Sequence, residues 1–239
     1  MTHEEQYKEV EGMFKRLSDQ MCHVVQAFYL WRVLVFSRSI PEVGKEQAEK
    51  NVEIIRSYQN FFAQTENSHL ETFIIGITKF YDRDLRSLTL DAIINKMCEY
   101  QNDITAETLI NIYPDRFDKD ELRADYRPFD EADLVDIGNL RQENKQVLEN
   151  LIVIRNKQAA HTNIEIINVT FIPTEVEKFI EDTQKIFNKL QERFSRASTV
   201  WDHMKEGVER DTRLLYENLH RGEVQRKEEI RQKWGVKLP

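Results

Sequence analysis

Residues 134–161 read LVDIGNLRQENKQVLENLIVIRNKQAAH, and their apolar positions recur at helical spacing. At roughly 100° per residue these positions fall within one broad stripe, which predicts a long amphipathic helix with one buried face. Arg155 lies seven residues after Leu148 and four after Leu151, so the same stripe includes its guanidinium. A cation where leucines face the core is costly unless an anionic group meets it, so Arg155 is the first indication of a site.

A histidine, His161, follows Arg155 by six residues. On an unbroken helix this separation gives a rise of about 9 Å and a rotation of about 120°, so the two side chains would not form a tight pair. Either the helix ends between them, or each side chain meets residues of another segment or subunit. The structural alternative is that Arg155 pairs with a buried carboxylate or binds carbonyl groups at the helix end, and that His161 is structural.

The pattern Arg155-Asn156-x4-His161 resembles the Arg-x(4–6)-His signature of the HEPN superfamily, in which a polar residue often follows the arginine. Other parts of the chain resemble the abortive-infection U-type HEPN proteins of bacteria, and the resemblance covers most of residues 5–195. It implies an all-α fold, an up-and-down helical bundle of HEPN type. The segments that carry it are YLWR at 29–32, FIIGITKFYDRD at 73–84 and SLTL at 87–90.

The composition also favours long helices. Only 7 Gly and 5 Pro interrupt 239 residues, and 40% of the residues are hydrophobic. Apolar residues between Val10 and Val35 alternate in steps of four and three, which predicts a first helix from about residue 3 to 37. We predict a HEPN-like bundle over residues 1–197 and a C-terminal helical extension over 198–239, which includes a long last helix.

Local signals predict the other helix boundaries. Further starts are expected at Ser87 or Thr89, at Thr105, at Asp130 or Asp133, and after Pro173. The other expectations are a polar interruption or kink at 64–68, a surface loop at 114–130, a connector at 163–171 and a soft break at 195–198.

Four residues are candidates beside the arginine and the histidine. Asn156 can hold an imidazole or a phosphate oxygen, and Lys157 is a candidate RNA contact. Arg141 lies near the apolar stripe, either as an edge that reaches solvent or as a contact with an RNA backbone or a partner. The family resemblance makes Asp82 a candidate for a carboxylate that orients the arginine or the histidine. The alternative for Asp82 is a solvated helix end.

The chemistry expected of this site needs no metal and no cofactor. The six histidines are scattered, and the chain has no HExxH, no glycine-rich phosphate loop and no paired-cysteine zinc motif. A histidine can act as acid or base near neutral pH, and an arginine fork fits a phosphate. One arginine and one histidine make a small site, but two copies related by a two-fold axis supply two of each.

The resemblance implies such a composite cleft between two docked protomers. We therefore predict a metal-independent endoribonuclease of a bacterial phage-defence or toxin–antitoxin system, acting on RNA as a homodimer. The resemblance allows an antitoxin or another defence-system protein as a further partner. Some HEPN toxins carry a tyrosine two residues after the histidine, which a partner nucleotidyltransferase modifies. The chain has Asn163 there, so we do not expect that mode of neutralisation.

A second hypothesis comes from the net charge of −8, which argues against general nucleic-acid binding although it allows a local basic cleft. On this hypothesis the chain is a catalytically inactive helical interaction module, an RNA- or protein-binding scaffold. Cys22 and Cys98 lack CxxC spacing and are expected as buried free thiols in a reducing cytosol. We see no signal peptide and no apolar window that could span a membrane, so we expect a cytoplasmic protein.

Overall fold

A computed structural model describes residues 1–82, 84, 87–116, 118–159 and 171–235 of the chain. Within these ranges the chain forms eleven α-helices and no strand, which confirms the predicted all-α class. None of the described helices has an apolar stretch that could cross a membrane. The helices are α1 (His3–Phe36), α2 (Ile40–Val43), α3 (Lys45–Ser57), α4 (Gln59–Lys79), α5 (Leu90–Glu99), α6 (Ala106–Ile112), α7 (Lys119–Asp125), α8 (Glu131–Glu143), α9 (Lys145–Ala159), α10 (Pro173–Ser195) and α11 (Asp202–Trp234).

Several boundaries lie where local side-chain chemistry predicts them. The Thr89 hydroxyl accepts the Ala92 N–H at the start of α5. Thr105 begins α6 through a reciprocal capping pair with its third helical residue. At the start of α8, the Asp130 carboxylate accepts the Asp133 N–H at 3.0 Å, and the Asp133 carboxylate accepts the Asp130 N–H at 3.2 Å. Both aspartates proposed for this cap therefore take part in it.

Three boundary expectations are wrong. The polar residues 64–68 lie inside α4, and the break occurs at Tyr58, whose φ of −126° and ψ of 36° leave the helical region. The loop expected at 114–130 contains α7, because Asp118 caps the N–H groups of Asp120 and Glu121. The helix expected to continue from residue 134 to Arg155 is divided at Asn144 into α8 and α9. Residues 163–170 of the predicted connector lie outside the described residues.

The chain folds into two compact units, which we describe separately. Unit 1 consists of Met1–His23 and Ile74–Trp201, and unit 2 of Val24–Phe73 and Asp202–Pro239. The first and fourth helices each contribute to both units, since their ranges cross these boundaries. The domain boundary predicted at residue 197 stays a prediction.

The core of unit 1 is built from aromatic contacts between α1 and α10. Tyr7 stacks on Phe194 with ring centroids 4.4 Å apart, and Phe14 lies 5.0 Å from the same ring. Phe14 also meets Phe187 edge to face at 5.8 Å. These four side chains are buried and come from the apolar stripes of their helices, so hydrophobic burial fixes α1 against α10.

Polar contacts join α10 to the segment that begins at α8. Asp133, which is 2% exposed, accepts two hydrogen bonds from the Arg193 guanidinium, at 2.9 and 3.1 Å. Farther along, the Asn144 amide donates to the carboxylate of Asp182 at 2.9 Å. We call these four residues the α8–α10 clamp. Because charges removed from water are stable only when well partnered, the clamp requires one alignment of the two helices.

Unit 2 has its own apolar cluster. Leu34, Ile54, Phe62 and Tyr216 are buried together, and the Phe62 and Tyr216 rings stack with centroids 5.4 Å apart. The last of these residues belongs to α11, which packs against α3. The charged C-terminal helix is therefore an integral part of unit 2.

The clamp generates a prediction about stability. Arg193→Ala leaves the buried Asp133 carboxylate without its bidentate partner, so we expect the free energy of unfolding to fall by about 2–4 kcal/mol. Lys178→Ala is a matched control, because Lys178 pairs with Glu143 between the same two helices while both side chains are mostly exposed. That change should cost no more than about 0.5 kcal/mol. Urea unfolding followed by circular dichroism measures both, and equal losses would contradict the role given to the clamp.

Candidate functional site

Arg155 lies near the C-terminal end of α9 and is partly exposed. Its guanidinium donates from Nε and Nη2 to the Asn156 side-chain oxygen, at 3.2 and 3.1 Å. Its Nη1 makes a longer contact of 3.5 Å with the hydroxyl of Thr78. Both acceptors are neutral, and no carboxylate in the described ranges forms an ion pair with Arg155. The positive charge is held in position without being neutralised there.

Thr78 presents a buried hydroxyl to this guanidinium. The residue is 1% exposed, and its hydroxyl donates to the Ile74 carbonyl at 2.7 Å, which leaves an oxygen lone pair for Arg155. Thr78 lies in the last turn of α4, where the helix dipole favours a cation. Sequence reasoning missed this residue. The available signal was a hydroxyl residue within the apolar run that ends at Phe80.

The start of α9 is fixed by buried polar groups. Asn144 donates to the Leu140 carbonyl at 2.8 Å and to Asp182 at 2.9 Å, and Asp182 also accepts from Lys185 at 2.7 Å. Burial raises the pKa of the Asp182 carboxyl, but the hydrogen bonds from Lys185 and Asn144 lower it more, so the net pKa lies below the usual value. The sequence reasoning did not identify Asp182, because its partner Asn144 lies 38 residues away, between α8 and α9.

Arg141 is engaged inside unit 1. Its Nη1 donates to the Asp91 carboxylate, and its guanidinium lies 5.8 Å from the centroid of the Tyr81 ring. Burial raises the pKa of Tyr81 to about 12, and the Tyr81 hydroxyl pairs with Thr183 at 2.7 Å. Tyr81 follows the end of α4 and comes three residues after the threonine that Arg155 contacts. The structure therefore brings Arg141 and Arg155 to the same helix end.

The remaining candidates are less closely connected. The Asp82 carboxylate accepts the Asp84 N–H at 3.1 Å, which forms a local turn, and has no contact with Arg155 in the described part of the chain. Lys157 is partly exposed in the last turn of α9 and makes no ion pair with a described residue. His161 and Asn163 lie outside the described residues. The functional roles assigned to these side chains stay predictions.

Over the residues that the structure describes, no three His, Cys, Asp or Glu side chains come together as a metal-binding group. Cys22 and Cys98 are free but half-buried, not fully buried as expected. Burial raises the pKa of both thiols, which lowers their reactivity at neutral pH.

Comparison with known families agrees with this architecture. The family model HEPN_AbiU2, described as AbiU2, matches residues 7–215. The all-α chain is thus a member of the HEPN superfamily, and the resemblance noted in the sequence is confirmed. Within that superfamily the protein belongs to the AbiU2 family, the abortive-infection U2 type, which indicates a role in abortive infection. Comparisons with curated proteins and with solved structures found no match.

The depressed pKa of Asp182 predicts a pH dependence. A carboxyl whose pKa is lower in the folded state contributes stability above its unfolded pKa and loses it as the pH falls through the folded value. We expect Asp182→Asn to lower the free energy of unfolding by about 1–3 kcal/mol at pH 7, and by progressively less below about pH 4. Denaturant titrations of both proteins from pH 7 to 3 measure this gap. A gap that is constant or widens towards low pH would contradict the assignment.

Proposed function

We propose that the protein is a metal-independent endoribonuclease that acts as a homodimer in phage defence, with Arg155 and His161 as its catalytic residues. The observation that carries the proposal is the state of Arg155. Its guanidinium contacts only the neutral oxygens of Asn156 and Thr78 in the described ranges, so its charge is available to an anionic ligand. A guanidinium with free donor capacity fits the phosphate of an RNA backbone.

The proposed reaction is an internal transesterification. The ribose 2′-hydroxyl loses its proton to a base and attacks the adjacent phosphorus, and the bond from phosphorus to the 5′-oxygen breaks. The departing 5′-oxygen takes a proton from an acid, which leaves a 2′,3′-cyclic phosphate and a 5′-hydroxyl. His161 serves as base or acid, and Arg155 stabilises the charge of the phosphorane.

Two protomers are needed because the reaction requires a base and an acid at once. A two-fold axis brings two copies of Arg155 and His161 to one cleft, so that one imidazole accepts a proton while the other donates one. Asn156 already accepts a hydrogen bond from the Arg155 guanidinium, so it positions that guanidinium in the cleft. Lys157 and Arg141 are proposed as weaker contacts to the RNA backbone, and Asp82 as a carboxylate that positions the histidine.

The defence context sets the expected substrate and partners. An abortive-infection protein that cleaves cellular RNA would arrest growth, so we propose a toxin-like activity restrained by an antitoxin or another defence-system protein. Expression of the wild-type chain should then stop growth, and expression of the His161→Ala variant should not.

The catalytic assignment predicts the behaviour of two variants. We expect Arg155→Ala and His161→Ala each to reduce RNA cleavage by about 10²- to 10⁴-fold, because each removes charge stabilisation or proton transfer from the transition state. Lys145→Ala, an exposed lysine in the first turn of the same helix as Arg155, is the control and should keep full activity. Purified RNA is incubated with chelator present, and the ends are analysed for cyclic phosphate. Activity that survives both changes would eliminate this site.

The dimeric site predicts that an inactive protomer impairs its wild-type partner. When wild-type and His161→Ala protomers are unfolded and refolded together in equal amounts, the activity should be about half that of the same two proteins refolded separately, because a mixed dimer has one imidazole and cannot supply a base and an acid at once. Statistical exchange places about half of the protomers in mixed dimers. Light scattering on the purified protein gives its mass in parallel. A monomeric, active wild-type protein would be incompatible with a composite cleft.

The helical interaction module remains the alternative, and two observations favour it. The chain carries a net charge of −8, and Arg141 is paired with Asp91 through Nη1 and lies against the Tyr81 ring. A module of this kind would bind RNA or a protein partner without cleaving RNA. Unchanged RNA after incubation with an intact dimer at high protein concentration would support it.

A further inference from the structure

Unit 2 contains a cavity that the proposed nuclease chemistry does not use. Its volume is about 670 Å³, and it is lined by the C-terminal end of α1, by α2 and α3, and by one face of α11. This volume lies within the range of small-molecule binding sites.

The buried polar groups that line the cavity, Ser37, Tyr216 and Asn51, already donate hydrogen bonds to other groups of the protein. The Ser37 hydroxyl donates to the Leu34 carbonyl at 2.7 Å, so it accepts the hydrogen bond of 2.9 Å that joins it to the Tyr216 hydroxyl. The phenol proton is therefore occupied, while lone pairs of the phenol oxygen remain. Burial raises the pKa of Tyr216, which keeps this hydroxyl protonated. Asn51 donates to the Ser37 carbonyl at 2.7 Å and accepts from the Gln47 amide at 2.8 Å.

The uncommitted polar groups that line the cavity are mainly oxygen acceptors. The Gln47 carbonyl oxygen has no partner in the described part of the chain, and neither does the hydroxyl of Thr212. Thr212 lines the cavity and is only 4% exposed. The Thr212 side chain is buried, but its oxygen is open to the cavity, where a ligand can reach it and form a hydrogen bond.

Carboxylates dominate the free charge at the cavity rim. Glu42 and Glu209 line the cavity and make no ion pair with any described residue. Two further lining carboxylates have only distant partners, since Glu206 lies 3.9 Å from His203 and Glu217 lies 4.0 Å from Arg221.

The three arginines that line the cavity offset this charge only in part. Arg210 is held by Asp211 at 3.0 Å, and the Arg32 guanidinium lies 5.6 Å from the centroid of the Phe36 ring. Arg213 is the one lining arginine without an ion pair or ring contact among the residues described. The cavity thus offers acceptors on its floor, free carboxylates at its rim and apolar side chains between them, among them Val33.

We propose that this cavity binds an aliphatic polyamine. Ammonium groups are hydrogen-bond donors that carry positive charge, so they match the carboxylates of Glu42 and Glu209 and the oxygens of Tyr216, Gln47 and Thr212. The methylene segments between them lie against the apolar wall. Within the described part of the chain, an anionic ligand would meet one unpaired guanidinium, that of Arg213, but two unpaired carboxylates.

Calorimetric titration of the full-length protein with spermidine in 150 mM NaCl tests the proposal. We expect saturable binding of one spermidine per chain. Glu209→Gln and Glu42→Gln each remove one carboxylate charge at an exposed position and should weaken the affinity by about fivefold or more. Thr212→Val removes the floor hydroxyl at nearly constant volume and should weaken it by about threefold. Circular dichroism establishes that each variant is folded.

Four comparisons make the result specific to the cavity. Glu228→Gln changes an exposed glutamate of the same helix outside the cavity, so it should leave the affinity unchanged. Equal weakening by Glu228→Gln, or equal displacement by magnesium ions, would reveal general attraction to an acidic protein and overturn the proposal. Tighter binding of adenosine monophosphate than of spermidine would also overturn it. Binding of a lysine-rich peptide but not of spermidine would assign the cavity to a protein partner instead.

Discussion

Two buried carboxylates determine where the candidate catalytic arginine lies. Asp133 and Asp182 are each about 2% exposed, and a carboxylate removed from water to this extent is stable only with well-placed donors. Arg193 and Lys189 supply them to Asp133, and Asn144 and Lys185 supply them to Asp182. Since α9 begins directly after Asn144, the clamp that satisfies these charges also fixes the helix that carries Arg155.

The electrostatics of Arg155 follow from the same arrangement. The buried carboxylates are occupied within the clamp, and Asp91 is occupied by Arg141, so the guanidinium of Arg155 meets only neutral oxygens in the described ranges. Partial charges at the end of α4 hold the cation in position but do not cancel its charge. Arg155 can therefore be both a structural contact at a helix end and a phosphate-binding group. Phosphate binding requires a guanidinium that is held rigidly, and the contacts at the helix end supply that rigidity.

Local chemistry explains which parts of the fold could be predicted. The apolar period of α1 and the capping side chains Thr89 and Thr105 act over a few residues, and the helices begin where these signals lie. The breaks at Tyr58 and Asn144 were missed. At Asn144 the reason is visible in the structure, because its amide is bonded to Asp182, 38 residues away, and a local pattern carries no such information.

The difference between local signals and long-range contacts also explains which parts of the candidate site could be predicted. Arg155 was identified because a cation in an apolar stripe is anomalous within its own helix. Its contact with Thr78 joins residues 77 positions apart and depends on the packing of α9 near the end of α4. Unit 2 likewise joins residues 24–73 to the C-terminal helix, a long-range arrangement about which local sequence patterns carry no information.

The Arg155 site and the unit 2 cavity differ in the charge that they leave unpaired. At Arg155 a guanidinium has no ion pair among the described residues, whereas the cavity keeps the carboxylates of Glu42 and Glu209, together with the guanidinium of Arg213, beside hydrogen-bond acceptors. The net charge of −8 is a sum over the whole chain, so it does not describe the local charge at Arg155 or in the cavity. Recognition of an RNA backbone and of an organic cation would draw on different groups in different units, so one ligand would not compete with the other for the same side chains. The acidity of the whole chain therefore argues against general nucleic-acid binding, but it does not exclude an anionic substrate held locally at Arg155.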